Sequence, residues 1–467
     1  MPFMSMSIFG AHRFRSHSFS MITLSHPRVR RAVTQTCHTI AVVATCCVTA
    51  CHGLLDVSNP TLTQDQDIAN TAGATARVGT VRLYFNDVIS IIAANIALFT
   101  DEQTYDAMPS NQNLQALALD QRNSQEYENL FDVASDPHLG ALDYIVTNAG
   151  IALAPVRAYA DTSVRGDLLA QLFVMRGYAI VQMAEDICPG FPINDVSPTN
   201  EVVYSHPYTT DAALTYGIEQ LDSALVDGRD SAQYLNLARV LKARALLDLG
   251  QYADVAATLA NVPADFVYMP EISDNPLGPP CLACWEFGDR RAVGDSEGRN
   301  GMPFVSAHDS VRVPVTKTPY TRYANSSDTL YASQTYPTAT TKLVLASGIE
   351  ASLMRAEVAL HNNDATWIDT LNVLRSTVGL TALSAPTADT AKVNLLYRER
   401  AFWLYFTGHR LGDMRRLIRN YGRDPETVFP TGAYPLGGSY GTATAIPFIL
   451  VNQAAYNRNI TSGCTTR

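Results

Sequence analysis

Apolar residues recur at intervals of three and four along much of the chain, and this spacing predicts amphipathic helices. The first clear case lies within residues 68–99, where one apolar face is formed by Val81, Phe85, Val88, Ile92 and Ile96. The same spacing predicts further helices at residues 117–131, 138–159 and 167–184. These segments indicate a mostly α-helical protein.

Residues 211–260 contain three helical segments in close succession, at 212–225, 234–249 and 252–259. Gly250 stands between the last two, where a residue without a Cβ can form a tight corner. Small residues before the corner and an aromatic residue after it make this segment similar to a tetratricopeptide hairpin. Residues 349–377 contain a second pair, but the pairs do not recur at one fixed period. We therefore expect a scaffold of helical hairpins and not a regular solenoid.

Residues 263–341 differ from these regions, because they are rich in Pro, Gly, Ser, Thr and Tyr and show no sustained period. A segment this long without regular elements is usually functional or disordered. Its many aromatic residues argue against simple disorder. We interpret it as a long irregular, loop-rich insertion in the helical scaffold that carries a binding face.

The stretch from Leu395 to Arg419 contains two short helical patterns that meet at Thr407 and Gly408. Gly408 is well placed at the end of the first helix, because it can take a positive φ without a steric clash. We expect a helix–turn–helix corner around which the C-terminal region is organised.

Charged residues are concentrated at this corner. Arg410 and Asp413 are three residues apart, so on a helix they can form an ion pair. Glu399, His409 and Asp413 could form a catalytic acid–base set, or they could hold the corner together through ion pairs. The structural interpretation is favoured, because neighbouring arginines outnumber the carboxylates.

The composition narrows the class of protein. The chain has 467 residues, 47% of them hydrophobic and 17% charged, with a formal net charge of −10. The excess of acid argues against nucleic acid as a partner, since phosphate binding needs clustered Lys and Arg. The sequence has no HExxH or dinucleotide-binding motif. We predict a protein without enzymatic activity and without a cofactor or metal.

The first fifty residues have the features of an export signal. Basic residues precede a short apolar run at 39–50, which suits a signal-peptide core but is shorter than the roughly 20 residues of a spanning helix. Small residues before Cys51 are typical of a lipoprotein cleavage site; an ordinary secretory signal that ends near a cysteine is the alternative. We expect a signal peptide at 1–50, a lipid-anchored tether at 51–66 and no spanning helix in the mature protein.

The remaining cysteines do not make a disulfide framework. Cys281 and Cys284 form a lone C-x-x-C pair, and Cys188 and Cys464 stand far from it in the sequence. In an exported protein, a local disulfide or two idle thiols at the pair are favoured over a metal site.

The C-terminal corner resembles the signature of the SusD/RagB family of nutrient-binding outer-membrane lipoproteins. The resemblance is carried by residues 398–402, 407–410 and 413–416, and by Leu-Asp-Val-x-Asn-Pro at 55–60 after Cys51. The chain departs from the family pattern at Thr407, where Glu is frequent, and at Leu411 and Gly412, where aromatic residues are frequent. The resemblance implies a structural role for Arg398, Glu399, Gly408, His409, Arg410 and Asp413.

The resemblance also implies a surface-exposed, outer-membrane protein that captures a glycan and acts as a lid on a SusC-like TonB-dependent transporter. Sites for sugars combine flat aromatic rings with polar groups, because sugars have apolar faces and polar edges. The insertion supplies this combination, and the candidate ligand-binding residues are Trp285, Phe287, Tyr320, Tyr323 and Tyr331, with Tyr105 from the loop at 100–113. These rings could instead pin the loops to the helical base.

Three functions therefore compete. The first is glycan capture for an outer-membrane transporter, the second is a tetratricopeptide-type scaffold that binds proteins, and the third is a secreted glycan hydrolase, which would need a carboxylate pair near the aromatic residues. The expected regions of the mature chain are a helical region at 67–262, the insertion at 263–341 and a SusD/RagB-like region at 342–467.

Overall fold

The structure is a computed structural model that describes residues 69–106, 114–130, 138–197, 201–228, 231–271, 291–321, 329–336, 341–450 and 457–464. The predicted signal peptide and tether, with Cys51, lie outside these residues, as do Cys281 and Cys284. The three expected regions of the mature chain all belong to one compact unit, Asp65–Arg467.

Helices dominate the described part of the chain, as the apolar spacing predicted. In the first half they are α1 (Thr71–Phe99), α2 (Leu114–Asp120), α3 (Ser124–Leu130), α4 (Leu139–Tyr159), α5 (Thr162–Asp186), α6 (Thr210–Asp227), α7 (Ala232–Asp248) and α8 (Tyr252–Leu259). In the second half they are α9 (Gly348–His361), α10 (Thr366–Thr377), α11 (Asp389–Trp403) and α12 (Arg410–Arg419), followed by a 3-10 turn at Pro425–Thr427.

Helix α5 is the centre of the main core. All of its residues from Leu168 to Asp186 are buried, and α1, α4, α6 and α7 pack against it. Two glycines allow α5 and α6 to approach closely. A Cβ on Gly177 would lie 2.7 Å from a methyl of Leu221, and one on Gly217 would lie 2.7 Å from a methyl of Val181. A larger residue at either position would therefore push the two helices apart.

The predicted helical hairpins are present. Gly250 joins α7 to α8 with a φ of +71°, a conformation that glycine adopts without a Cβ clash. Asn363 joins α9 to α10 with a φ of +57°, which asparagine tolerates better than most residues. The second hairpin is held by a smaller core of its own, which includes Leu353, Ala356, Trp367, Leu371 and Leu396. Because α8 packs on α9, the two hairpins are neighbours.

Short strands lie between the helices. They are β1 (Gln103–Tyr105), β2 (Asp195–Val196), β3 (Val202–Val203), β4 (Val267–Tyr268), β5 (Arg291–Val293), β6 (Val315–Thr321), β7 (Thr329–Ser333) and β8 (Ala346–Ser347). The antiparallel pairs are β1 with β5, β2 with β3, β4 with β8, and β6 with β7. The prediction that residues 263–341 lack regular elements is therefore wrong for β4 to β7. Most of these strands are too short for an alternating pattern to reveal them.

A disulfide that the sequence analysis did not predict joins Cys188 to Cys464, across 276 residues. Cys188 follows the end of α5, so the bond fixes the end of the chain to the central helix.

Two helices, α1 and α4, are long and apolar enough to cross a membrane by length and composition alone. In the structure, 72% of the most apolar part of α1 and 44% of that of α4 is buried, and the two helices pack on each other. Their apolar character is that of core helices.

Candidate functional site

The corner between α11 and α12 covers a network of buried arginines and carboxylates. Helix α11 ends at Trp403, Gly408 has a φ of +82°, and α12 begins at Arg410. The predicted pair of helices and the turn at Gly408 are confirmed.

Asp413 lies at the centre of this network. Its carboxylate accepts hydrogen bonds from Arg400 at 2.8 and 2.7 Å and from Arg416 at 2.7 Å. Arg416 also pairs with Glu357 at 2.9 Å and with Asp248 at 2.7 Å, and none of these side chains is more than 5% exposed. Burial alone would raise the pKa of Asp413, but the two arginines outweigh it and hold the pKa well below its usual range.

Arg410 does not pair with Asp413, so that prediction is wrong. Its guanidinium donates instead to both oxygens of Asp101, at 2.7 and 2.8 Å. Helical spacing permits the Arg410–Asp413 contact, but Asp413 is already bonded by two other arginines. The pair with Asp101 joins α12 to the segment after α1.

Glu399 is fully buried and has a structural role. Its carboxylate accepts from Arg312 at 2.7 Å and from Arg375 at 2.9 Å, so it ties the insertion and α10 to α11. Arg398 differs from the other signature residues. Its side chain is 38% exposed, and its guanidinium lies 3.8 Å from Glu399, at the edge of the network.

His409 is buried and neutral. Its Nε2 lies 2.6 Å from the guanidinium of Arg244 and 3.2 Å from Oε1 of Glu350, and its Nδ1 lies 2.8 Å from the hydroxyl and 3.2 Å from the carbonyl oxygen of Thr407. Burial and then the charge of Arg244 lower the pKa of His409. A neutral ring that is 4% exposed and bonded at both nitrogens cannot exchange a proton with a substrate. The contacts of Glu399, His409 and Asp413 favour the structural interpretation of these residues, which stays a prediction.

Glu102 is a further buried acid, which sequence reasoning did not single out. Burial raises its pKa to about 8, and its Oε1 accepts from the backbone N–H of Phe406 at 2.8 Å. A raised carboxyl pKa can mark a catalytic site. Glu102 is 0% exposed, however, so a substrate cannot reach its carboxyl group. With its raised pKa, it is a protonated acid in the core.

A candidate binding surface lies on the β6–β7 hairpin, which precedes these helices in the chain. Strands β1 and β5 pair with Tyr105 opposite Arg291, and β7 packs beside β5. In the β6–β7 hairpin, Lys317 lies opposite Tyr331. Tyr320 on β6 is 61% exposed and Tyr331 on β7 is half-buried. The structure thus brings two of the predicted aromatic residues onto one hairpin.

Tyr105 does not belong to this surface, which corrects its assignment as a ligand-binding residue. Its ring is 2% exposed, and its backbone N–H donates to Asp120 at 2.8 Å. The segment at 100–113 was expected to be a loop, but its first part forms β1, and pairing with β5 places the ring of Tyr105 in the core.

Three other predicted residues, Trp285, Phe287 and Tyr323, lie outside the described residues. Trp285 and Phe287 precede β5 by a few positions in the sequence, and Tyr323 lies between β6 and β7. Their assignment as ligand-binding residues stays a prediction.

Two segments fit the G-x-S-x-G pattern of serine hydrolases, which sequence reasoning overlooked. They are Gly294–Gly298 and Gly437–Gly441. The pattern marks a nucleophile only on a sharp turn between a strand and a helix. Ser296 follows β5 with a φ of +64°, but turns follow it and not a helix, and Ser439 lies in a loop. Within the described ranges, neither serine is hydrogen-bonded to a histidine, so these motifs do not support a hydrolase.

No sequence model of a protein family matches the chain, and no curated protein sequence matches it. Solved structures do match. A SusD superfamily protein from Bacteroides thetaiotaomicron is 13% identical, with a TM-score of 0.62 over 85% of this chain and 100% of that one. A SusD-like carbohydrate-binding protein from Bacteroides vulgatus is 14% identical, with a TM-score of 0.54 over 79% of this chain and 86% of that one. A laminarin-binding SusD-like protein is 12% identical, with a TM-score of 0.58 over 85% and 100%. The chain therefore has the fold of the SusD-like proteins.

Proposed function

We propose that the protein is a SusD/RagB-type lipoprotein that captures a glycan at the cell surface and delivers it to a TonB-dependent transporter. The observation that carries this proposal is the SusD-like fold, shared with a laminarin-binding protein over 85% of the chain. The proposal includes the lid function, a SusC-like partner and a location in the outer membrane through a lipid on Cys51. The protein would bind its ligand without chemical change.

The β6–β7 hairpin is the part of the proposed glycan site that the structure describes. An exposed tyrosine offers a flat apolar face to the CH groups of a sugar and a hydroxyl to its polar edge. Tyr320 is the most exposed of the described candidates, at 61%. Lys317 on the same strand is exposed and could supply a polar contact to sugar hydroxyls, while the hydroxyl of Thr318 donates to the carbonyl of Leu330 within the hairpin.

The test of the transporter partnership is the isolation of the native lipoprotein from outer membranes, with identification of what is purified with it. We expect a large β-barrel transporter in near-equal amount. If soluble periplasmic proteins are purified with it and no barrel is found, the uptake proposal fails, and the helical hairpins become a protein-binding scaffold of the tetratricopeptide type.

The test of the glycan site is a binding screen of the purified protein with neutral oligosaccharides, followed by substitution of Tyr320. We expect Tyr320→Ala to weaken binding by about tenfold or more, since the loss of a stacked aromatic ring costs roughly 1.4 kcal/mol or more. Tyr159→Ala is the matched control, because Tyr159 is 47% exposed at the end of α4. Equal binding by wild type and Tyr320→Ala would remove the hairpin from the site.

A further inference from the structure

A cavity of about 360 Å³ opens beside the corner, between α11, α12 and the segments around residues 300 and 427. Its polar lining includes Arg398, Arg423, Asn394 and Asn300, and its apolar lining includes Met302 and Leu417. In the described part of the chain, no Asp or Glu is among the residues that line this cavity. The protein as a whole has a net charge of −10, but this cavity is lined by arginines and, among the described residues, by no acidic residue. Such a lining favours a negatively charged ligand.

Arg423 carries a positive charge that its own contacts do not balance. Its guanidinium donates to the carbonyl oxygen of Thr390 and to Oδ1 of Asn394, both at 3.1 Å, and both acceptors are neutral. The neighbouring acid, Asp424, accepts from the backbone N–H of Glu426 at 3.0 Å, where it caps the 3-10 turn. These contacts orient Arg423 without neutralising it.

Arg398 is also weakly balanced. Its contact with Glu399 is 3.8 Å long, and Glu399 already accepts shorter bonds from Arg312 and Arg375. The guanidinium lies 4.9 Å above the ring of Phe402, which holds its plane in position. Arg410 lines the cavity too, but its charge is balanced by its pair with Asp101. The cavity therefore offers two available cationic groups.

We propose that this cavity binds the carboxylate of a uronic acid, either free or at the end of a glycan chain. Arginine matches a planar carboxylate through paired hydrogen bonds. Oδ1 of Asn300, whose amide nitrogen donates to two backbone carbonyls, can accept from a sugar hydroxyl, and the amide nitrogen of Asn394 can donate to one. The apolar side chains can contact the CH groups of the ring. The volume is at the small end of the roughly 300–1,000 Å³ range of ligand pockets, which suits one sugar residue. Inorganic sulfate or phosphate would leave the apolar wall unused.

The site is tested by calorimetric titration of the full-length chain with sodium glucuronate, sodium galacturonate, glucose and sodium sulfate. We expect the uronates to bind and glucose not to bind. Arg423→Gln and Arg398→Gln should each weaken uronate binding by roughly tenfold or more, because each removes a charge-assisted hydrogen bond. High salt should weaken binding by wild type. Equal affinity for glucuronate and glucose, or for glucuronate and sulfate, would overturn the proposal.

Two control variants make the result specific. Arg239→Gln removes another partly exposed arginine, whose guanidinium donates to Asn236 at 2.8 Å. Because Arg239 does not line the cavity, this variant should bind uronate as the wild type does. Tyr159→Ala removes an exposed side chain at the end of α4, outside the cavity, and should also leave uronate binding unchanged. Unweakened binding by an Arg423→Gln variant that melts at the wild-type temperature would refute the site. If a galacturonate trimer competes with the monomer, the site binds the end of a glycan chain. If the trimer does not compete, the site binds the free acid.

Discussion

The buried network gives the sharpest prediction about stability, and Asp413→Asn is the substitution that tests it. The asparagine keeps the shape of the side chain and removes its charge. Three hydrogen bonds from Arg400 and Arg416 end on this carboxylate, and all three side chains are at most 3% exposed. Without the carboxylate, Arg400 is left as a buried cation whose nearest other acid, Glu357, lies 3.9 Å away.

The size of the effect follows from this loss of charge balance. Removal of one partner of a buried ion pair costs about 3–5 kcal/mol, because the remaining charge stays desolvated. The unfolding entropy is about 2.1 cal/mol/K per residue, so for the folded unit Asp65–Arg467 a loss of 3–5 kcal/mol lowers the melting temperature by about 4–6 °C.

Thermal unfolding followed by circular dichroism at neutral pH measures the effect. Asp389→Asn is the matched control, because Asp389 is also in the first turn of its helix, but its side chain is 85% exposed and pairs only with Lys392 among the described residues. We expect the control to lose at most about 1 kcal/mol. If Asp413→Asn melts within about 1 °C of the control, the interpretation of Asp413 as the centre of the network is refuted.

Two further predictions concern other buried features. The pKa of Glu102 is raised from 4.5 in the unfolded chain to about 8 in the folded protein. The contribution of Glu102 to stability is therefore fully present below pH 4.5 and is lost as pH rises through 8. Glu102→Gln should therefore gain stability relative to wild type as pH rises from 5 to 9, in melting curves across that range; a constant difference would contradict it. Cys464→Ser should lose about 5–6 kcal/mol, since the disulfide to Cys188 closes a loop across 276 residues. Dithiothreitol should lower the melting temperature of wild type and leave that of the variant unchanged, and no effect on wild type would contradict the prediction.

Helix positions could be predicted because each helix repeats its apolar spacing several times. Helix α5 was predicted at 167–184 and spans Thr162–Asp186. The partners of the buried charges could not be predicted in the same way. Arg410 finds Asp101, which is 309 residues away, and Arg312 of the insertion finds Glu399, which is 87 residues away. Local spacing shows which residues can pair within a helix, but it carries no information about such distant contacts.

The candidate binding surface was predicted only in part for the same reason. Composition marked the aromatic insertion, and Tyr320 is exposed there, while its role in binding stays a prediction. Tyr105 was assigned to the same surface, but its strand pairs with β5 and its ring is buried. The pairing joins segments that are nearly two hundred positions apart, and each strand has only three residues. A strand this short has no periodicity of its own, so only the tertiary structure decides which face is buried.

The departures from the SusD/RagB pattern have local physical reasons in this fold. Gly412 stands where an aromatic residue is frequent, and here α12 packs on α5. A Cβ at Gly412 would lie 3.1 Å from the carboxyl carbon of Glu185, so a bulky side chain would push the helices apart. Thr407 stands where Glu is frequent, and its hydroxyl lies 2.8 Å from Nδ1 of His409, which fixes the orientation of the ring.

A substitution at position 407 or 412 therefore requires a compatible change in the residues that it contacts. A Glu at position 407 would place a charge beside the neutral ring of His409, which is already fixed by Arg244. An aromatic residue at 412 would require a smaller residue at 185, where Glu185 lies 3.9 Å from Arg244. Both departures thus meet at Arg244, one through His409 and the other through Glu185. The network therefore constrains residues 407 and 412 jointly with their partners.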